Sequence, residues 1–396
     1  MTKRLSMDQL NELVECFKAV KDPRVTGRSK HLLIDIIVIS VVGILCGAEG
    51  IKNVWQFAVL KQKWLKKYLE LPGGVPSEDT IARVLSIIDP AQMEKAFLEW
   101  VKIVIAEGET KTISLDGKYS KGTERTFNCG KKPLLIVSAY SHELGLSLVE
   151  TEGLEGSEMD GAMTCLNLLD LKGILVEVDA GIGCASVVGK IVEKGGDYLV
   201  PLKGNQKTSR AEVIAALDVG KTKAQTAETE ESCRGRDERR TCKLLPAKNL
   251  SEKFYERWPN AKTIFSISRE RVEEDKSYLI QETGIDGKQT YRLNDNDLKY
   301  SEETVHYVSS RKLSGDEALK EARKHWAIEN KVHWVLDVAF REDSCGVRAK
   351  ALARTLSLVR KIALNIIRGS KTKGSVNSRM KQAGWSNEFL ETLLFT

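Results

Sequence analysis

The sequence predicts an α/β fold in which an all-helical N-terminal region precedes a mixed-sheet core, and a mostly β insertion splits that core. Three observations predict it. Residues 1 to about 108 keep helical spacing, punctuated by Pro72-Gly73-Gly74 and Asp89-Pro90. Residues 109–206 alternate short apolar runs with stretches of helical spacing, each closed by Gly or a turn. Residues 207–314 carry strand-like runs before the core resumes at about 315.

The elements follow in order. Helices are expected near 7–20, 32–46, 51–69, 77–88 and 90–106, with Ser77 as an N-cap. Residues 32–48 are strongly apolar, but Asp35 interrupts them and the run is too short for a bilayer, so a buried core helix is expected. In the core, Lys111–Lys118 reads as a strand that stops at Asp116-Gly117. Strands at 133–140 and 145–152 follow, joined through His142-Glu143-Leu144-Gly145. A helix over 158–170 leads to a strand ending at Asp179. A helix over about 184–194 and a strand at Tyr198–Leu202 complete the order β-β-β-α-β-α-β. In the insertion, strands are expected at Thr241–Leu245, Thr263–Arg271, Tyr278–Glu282 and Thr304–Ser309. Glu-rich 228–231 beside Arg-rich 234–240 reads as an exposed turn.

Residues 325–343 carry the strongest chemical signal. His325, Glu329, His333 and Asp337 recur every fourth residue, beside apolar Ile328, Val332, Val335, Leu336 and Ala339. Residues four apart share one face of an α-helix. A carboxylate beside an apolar face needs a cation, from a side chain or a metal. Asp116 and Asp179 close strands next to flexible residues, where an acid faces a crevice in an α/β sheet. Singly, each Asp is equally a turn residue. A zinc reading of His325, Glu329 and His333 is weaker, because no third ligand is consistent and a Trp follows each His. His325 is expected to hydrogen-bond an anionic ligand or a neighbouring carboxylate, His333 is expected as a satisfied interior or interface side chain, and Asp337 as a reserve metal-adjacent acid.

The element order is that of a ribonuclease-H-like fold, and ordered blocks make the resemblance specific. They are Asp22-Pro23-Arg24-Val25-x-Gly27-Arg28, Gly47-Ala48-Glu49-Gly50, Pro76-Ser77-x-Asp79-Thr80, Asp116-Gly117-Lys118, Val178-Asp179-Ala180, Gly195-Gly196-Asp197-Tyr198, Leu202-Lys203-Gly204-Asn205-Gln206, His325-Trp326-x-Ile328-Glu329-Asn330 and Leu336-Asp337-Val338. From about residue 9 to 368 the chain resembles the H-repeat-associated insertion-sequence transposases, a branch of the DDE transposase superfamily. It departs from them at Tyr119-Ser120-Lys121-Gly122, in a longer, more polar stretch over 275–300, and at Arg234, where relatives carry His.

The resemblance implies a transposase that cleaves transposon ends and transfers the strands into target DNA. It implies Asp116, Asp179 and Glu329 as the catalytic, metal-holding acids, with two Mg²⁺ ions as cofactor and Mn²⁺ able to substitute. Expected DNA contacts are Lys118, Lys203, Asn205, Arg234, Arg236, Arg240, His325, Arg348, Lys350 and Arg354. In the N-terminal region, Arg24, Arg28, Lys30, Lys52 and Arg83 are candidates. The expected partners are double-stranded DNA, as terminal inverted repeats and target, and a second protomer on that DNA. A nuclease using the same triad, or a repurposed DNA-binding protein, stands as the alternative.

Composition agrees. Lys and Arg number 61 against 55 Asp and Glu, so net charge is only +6, but its distribution is uneven. From Ser344 to Asn387 there is no acid among many Lys and Arg, a pattern suited to a polyanion. The same stretch has Leu356, Val359, Ile362, Ala363 and Ile366 at helical spacing, so one face must pack. The plan is thus 1–108 helical, 109–206 with 315–370 catalytic, 207–314 inserted, and 371–396 a basic tail. Eight scattered cysteines without a Cys-x-x-Cys pair argue against a disulfide framework and a zinc ribbon. A polar start without a signal peptide leads to an expected bacterial cytoplasmic, nucleoid-associated location.

Overall fold

The computed structural model describes residues 9–25, 27, 29–105, 110–120, 123, 133–153, 157–220, 222–232, 236–274, 280–283, 289–292, 298–347 and 349–395. It divides into two compact units, Met1–Glu177 with Trp326–Thr396, and Val178–His325.

The first unit opens with helices α1 (Gln9–Phe17), α2 (Leu33–Leu45), α3 (Ile51–Leu60), α4 (Gln62–Leu65), α5 (Glu78–Ile87) and α6 (Pro90–Ile105). Helix α2 is buried nearly all round, as its strongly apolar sequence requires. Asp35 lies within it, as expected of a buried core helix broken by one acid. Its carboxylate accepts the Leu71 N–H at 2.9 Å, so the buried acid is satisfied. Ser77 caps α5 by accepting the Thr80 N–H. Among the described residues no helix is long and apolar enough to cross a membrane.

Strands β1 (Thr112–Ser120), β2 (Leu134–Ser141) and β3 (Leu146–Glu152) form an antiparallel meander, followed by α7 (Glu158–Leu168) and β4 (Leu175–Val178). The strand order here is β3-β2-β1-β4. One expectation needs correction. β1 does not stop at Asp116 but pairs with β2 through Ser120, so Asp116 sits mid-strand opposite Ser138. Gly is tolerated inside a strand where another group approaches closely. Here a Cβ on Gly117 would lie 3.0 Å from Cγ of Glu158.

The second unit holds α8 (Ala185–Glu193), β5 (Asp197–Leu202), α9 (Lys207–Val219), β6 (Gln225–Ser232), β7 (Arg236–Pro246), α10 (Glu252–Arg257), β8 (Thr263–Glu274), β9 (Ile280–Thr283), β10 (Gln289–Arg292), β11 (Leu298–Ser309) and most of α11 (Gly315–Ile328). Its main sheet runs β5-β11-β8-β7-β6. The Glu-rich and Arg-rich segments are not a turn. They are the two strands of the β6–β7 hairpin, with residues 233–235, including Arg234, outside the described set. A tract of charges forms strands here because Glu228 faces Thr241 and Glu230 faces Arg239 across the ladder, and Glu231, opposite Glu238, pairs with Arg240 and Arg323 instead.

The chain then returns to the first unit through α12 (Trp334–Val338), α13 (Lys350–Gly369), α14 (Val376–Trp385) and α15 (Asn387–Phe395). Helix α13 packs against α2, α5, α6 and β3. The expected basic tail is helical instead, with Met380, Ala383, Leu390, Leu393 and Leu394 buried. No disulfide joins the described cysteines, and burial pushes the Cys165 and Cys242 thiols up to about 12.

Candidate active site

Within the first unit, Asp116 and Glu329 come together. Asp116 is held on β1, and its Oδ1 accepts the Gly117 N–H at 2.9 Å. Glu329 does not sit on a regular α-helix. Between α11 and α12 the backbone widens into a π-helical turn over Glu329–His333, in which the Trp334 N–H reaches back five residues to the Glu329 carbonyl. Such single turns are rare in helices and recur at functional sites. The turn sets His333 beside both acids. His333 Nδ1 lies 3.5 Å from Asp116 Oδ2 and 3.3 Å from Glu329 Oε2. One ligand atom from each of the three lies within 4.8 Å of the others. Glu329 is open to solvent and Asp116 half-buried, while His333 is buried, so the cluster has one wet side and one packed side.

The segment carrying Glu329 is fastened to β1. Lys118 shares a strand face with Asp116. Its ammonium pairs with Asp337 on α12, and with Glu342 Oε2 at 3.2 Å and Asp343 Oδ1 at 3.6 Å. Burial raises the Glu342 carboxyl, but Arg360, Lys118 and Lys361 outweigh it and hold it down at about 2. Burial likewise raises Asp337, against the pull of Lys118. Lys118, expected on DNA, is therefore occupied by internal carboxylates.

A second tie lies two residues before Asp116 on the same face. The buried Ser114 hydroxyl donates to Glu177 Oε2 at 2.7 Å and meets His142 Nε2 at 2.6 Å. A Ser, His and Glu in contact suggest a nucleophile triad. Here Ser114 and Glu177 are almost wholly buried, so the trio braces β1, β4 and the end of β2 rather than meeting a substrate.

Asp179 belongs to the second unit and directly follows β4, as expected. Its Oδ1 accepts the Ile182 N–H at 2.7 Å, which folds the following residues into a tight turn. Gly183 closes it, where a Cβ would lie 2.4 Å from Val200 Cγ1. Gln206 secures the same turn. Its buried amide donates to the carbonyls of Ala180 at 3.0 Å and Gly183 at 2.8 Å, and its Oε1 accepts the Lys203 N–H. Asn205, expected on DNA, also donates to the Ala180 carbonyl. Gln206→Ala leaves the Gly183 carbonyl without that donor, so a stability loss of about 1–3 kcal/mol is expected. Urea unfolding of the full chain measures it, and a change below about 0.5 kcal/mol would show the turn is held by other means.

The other expected DNA contacts divide. Lys203 and Lys350 are exposed. Arg240 pairs with Glu231 and Glu238, its neighbour Arg239 with Glu230 at 2.7 Å, and Arg236 stands opposite Glu273. That cluster is a cross-strand ion-pair ladder, not an unpaired basic patch. Arg354 is an internal strut bound to Glu94 at 2.5 Å and Glu152 at 2.7 Å. Burial pushes Glu94 up to about 7 even against that guanidinium. Arg24 pairs with Asp22 and donates to the His31 carbonyl, while Lys30, Lys52 and Arg83 are exposed. Arg28, Arg234, Arg348 and the His325 side chain lie outside the described set.

The sequence reading missed Gln206, Ser114 and Glu177 as parts of this arrangement and set His333 aside as a satisfied interior or interface side chain, whereas the structure puts it beside both acids with Nε2 unpartnered. Each left a signal: His333 stands four residues from Glu329, Gln206 ends the Leu202–Gln206 block, and Ser114 and Glu177 each precede a candidate Asp by two.

Comparison with known proteins agrees with the geometry. The family described as Transposase DDE domain matches residues 106–366, and a DDE_Tnp_1-associated family matches residues 14–101. YncI of Escherichia coli O157:H7, named as a transposase, is 32% identical over 97% of this chain and 95% of its own. YhhI of Escherichia coli K12, named as an H repeat-associated transposase, is 28% identical over 98% of both chains. A looser likeness is to a piggyBac transposase synaptic complex with hairpin DNA, at a TM-score of 0.39 and 8% identity, over 98% of this chain and 78% of that one. With a catalytic-domain match across most of its length, this chain belongs to the DDE transposase family, in its H-repeat-associated branch.

Proposed function

We propose that this DNA transposase cuts the ends of a mobile element and joins them to target DNA, using Asp116, Asp179 and Glu329 to hold divalent metal. The observation that carries the reading is the convergence of Asp116 and Glu329, brought from a strand and a distant π-turn, within 4.8 Å. The donor set fits the expected metal: carboxylate oxygens, one of them solvent-facing, suit Mg²⁺, which keeps several waters. When bound, a pair of Mg²⁺ ions would activate the attacking oxygen and stabilise the leaving one.

The protein's own residues supply rigidity and access. β1 fixes Asp116, and Lys118 ties α12, and with it the π-turn, to that strand. Asp179 Oδ1 is engaged by the Ile182 N–H, and the turn it caps is held by Gln206. The solvent-facing side at Glu329 leaves room for a phosphodiester. Exposed Lys203 and Lys350 are the candidate phosphate contacts, and Lys30, Lys52 and Arg83 those for gripping an end. Bringing two ends together calls for two protomers, so the active species in this reading is a dimer on DNA.

The test is cleavage and joining of a labelled duplex that carries the element's own terminal repeat, in Mg²⁺ or Mn²⁺. End-specific cutting with joined product is expected. Cutting without joining would point to a nuclease, and tight end binding with no chemistry in either metal would sink the catalytic reading.

A further inference from the structure

We infer that His333 is itself a metal ligand, so that the site offers an imidazole nitrogen beside its carboxylates and favours Mn²⁺ over Mg²⁺. The inference rests on the metal-dependent reading above and deepens it.

Distances carry it first. His333 Nδ1 is 3.5 Å from Asp116 Oδ2 and 3.3 Å from Glu329 Oε2. Both exceed the usual N–H···O hydrogen-bond range of about 2.7–3.2 Å. Neighbouring ligands around one cation, with bonds of about 2.1 Å, stand about 3.0–3.4 Å apart in octahedral or tetrahedral arrangements. The two distances from His333 Nδ1 lie closer to ligand spacing than to that of a donor and its acceptor.

Burial is the second, independent observation. The His333 side chain is only 6% exposed, and its Nε2 is buried with no hydrogen-bond partner. A buried imidazole without good hydrogen bonds costs free energy. Coordination at Nδ1 would give the buried ring a partner on the side that faces the acids, where neither carboxylate stands within usual hydrogen-bond range, and would offset part of that cost while leaving Nε2 as it is. The π-turn is the third. It brings Glu329 and His333, four residues apart, to one side of the segment and toward Asp116. Imidazole suits transition metals, whereas Mg²⁺ prefers an all-oxygen shell. The nitrogen thus biases selection toward Mn²⁺ without excluding Mg²⁺.

Pulsed electron paramagnetic resonance of Mn²⁺ bound to the full chain, without DNA, tests this directly. Wild type is expected to show modulation from a coordinated imidazole nitrogen. In His333→Gln that modulation is expected to vanish and the Mn²⁺ dissociation constant to rise about tenfold or more, with Mg²⁺ binding changed far less. The wild-type spectrum decides even if the variant misfolds. Carboxylate-only coordination in wild type, with Mn²⁺ binding abolished by Asp116→Ala, would overturn the role of His333 and leave the metal-dependent reading standing. Modulation that persists in folded His333→Gln would assign the nitrogen to another residue and overturn the inference as well. Absence of saturable Mn²⁺ binding to wild type would overturn both readings together.

Discussion

Asp116→Asn is expected to lower strand cleavage at least about a thousandfold while leaving binding of the terminal repeat within about threefold of wild type. The substitution keeps the side chain's size and leaves an oxygen to accept the Gly117 N–H. What it removes is one negative charge at the point where Glu329 and His333 also converge. A metal's stabilisation of transition-state charge amounts to several kcal/mol, and each 1.36 kcal/mol is a factor of ten in rate. Single-turnover cleavage of the labelled duplex, with affinity measured in Ca²⁺, separates the two effects. A loss below about tenfold would mean that Asp116 does not hold the metal. A loss of affinity as large as the loss of rate would mean that the residue serves binding.

Lys361→Met is expected to destabilise the protein by about 3–5 kcal/mol, the usual penalty for leaving one member of a buried ion pair alone. Lys361, on α13, pairs with Glu150 on β3, and both side chains are almost completely buried. Burial already holds the Glu150 carboxyl above its usual range, and Lys361 pulls it back. Without the ammonium it rises further. The folded variant then keeps a proton that the unfolded chain releases, so its stability falls as pH climbs from about 4.3 toward the raised folded value. The deficit should therefore be larger at pH 7 than at pH 4. Urea unfolding at the two values checks the sign. Adding Glu150→Leu should recover most of the loss, since apolar replacement of a buried pair is often neutral. A single variant within about 1 kcal/mol of wild type would show the pair carries little charge.

The order of elements in the core was legible because period-two and period-3.6 patterns alternate cleanly between residues 109 and 206. The extent of β1 was not. Gly117 looked like a terminator, yet it is a pleat position that Glu158 approaches. The β6–β7 hairpin was hidden because its strands are stabilised by opposite charges across the ladder rather than by an apolar face. At the site, Asp116 and Glu329 were visible as acids in patterned surroundings. Their third companion was present in the same four-residue stripe, but a regular helix gives no reason to prefer His333 over His325. The basic C-terminal segment misled in the opposite direction. Arg354, Arg360, Lys361 and Arg368 look like a polyanion surface in sequence, but they meet Glu94, Glu150, Glu152, Glu342 and backbone carbonyls inside the fold. Their partners are too distant in sequence to be paired by inspection.

The packing of α13 on α2 bears on how the protein comes to exist at all. The apolar residues of α2 leave the ribosome early, yet part of their cover is synthesised late, beyond the whole second unit. Contacts between the two ends of a chain close slowly, because a long loop must be ordered before they form. Until translation reaches α13, the growing polypeptide exposes one of its most apolar segments and is vulnerable to aggregation. A premature stop anywhere in the insertion is thus expected to yield a polypeptide prone to aggregate or be degraded, so the first six helices are not expected to persist as a stable fragment of their own.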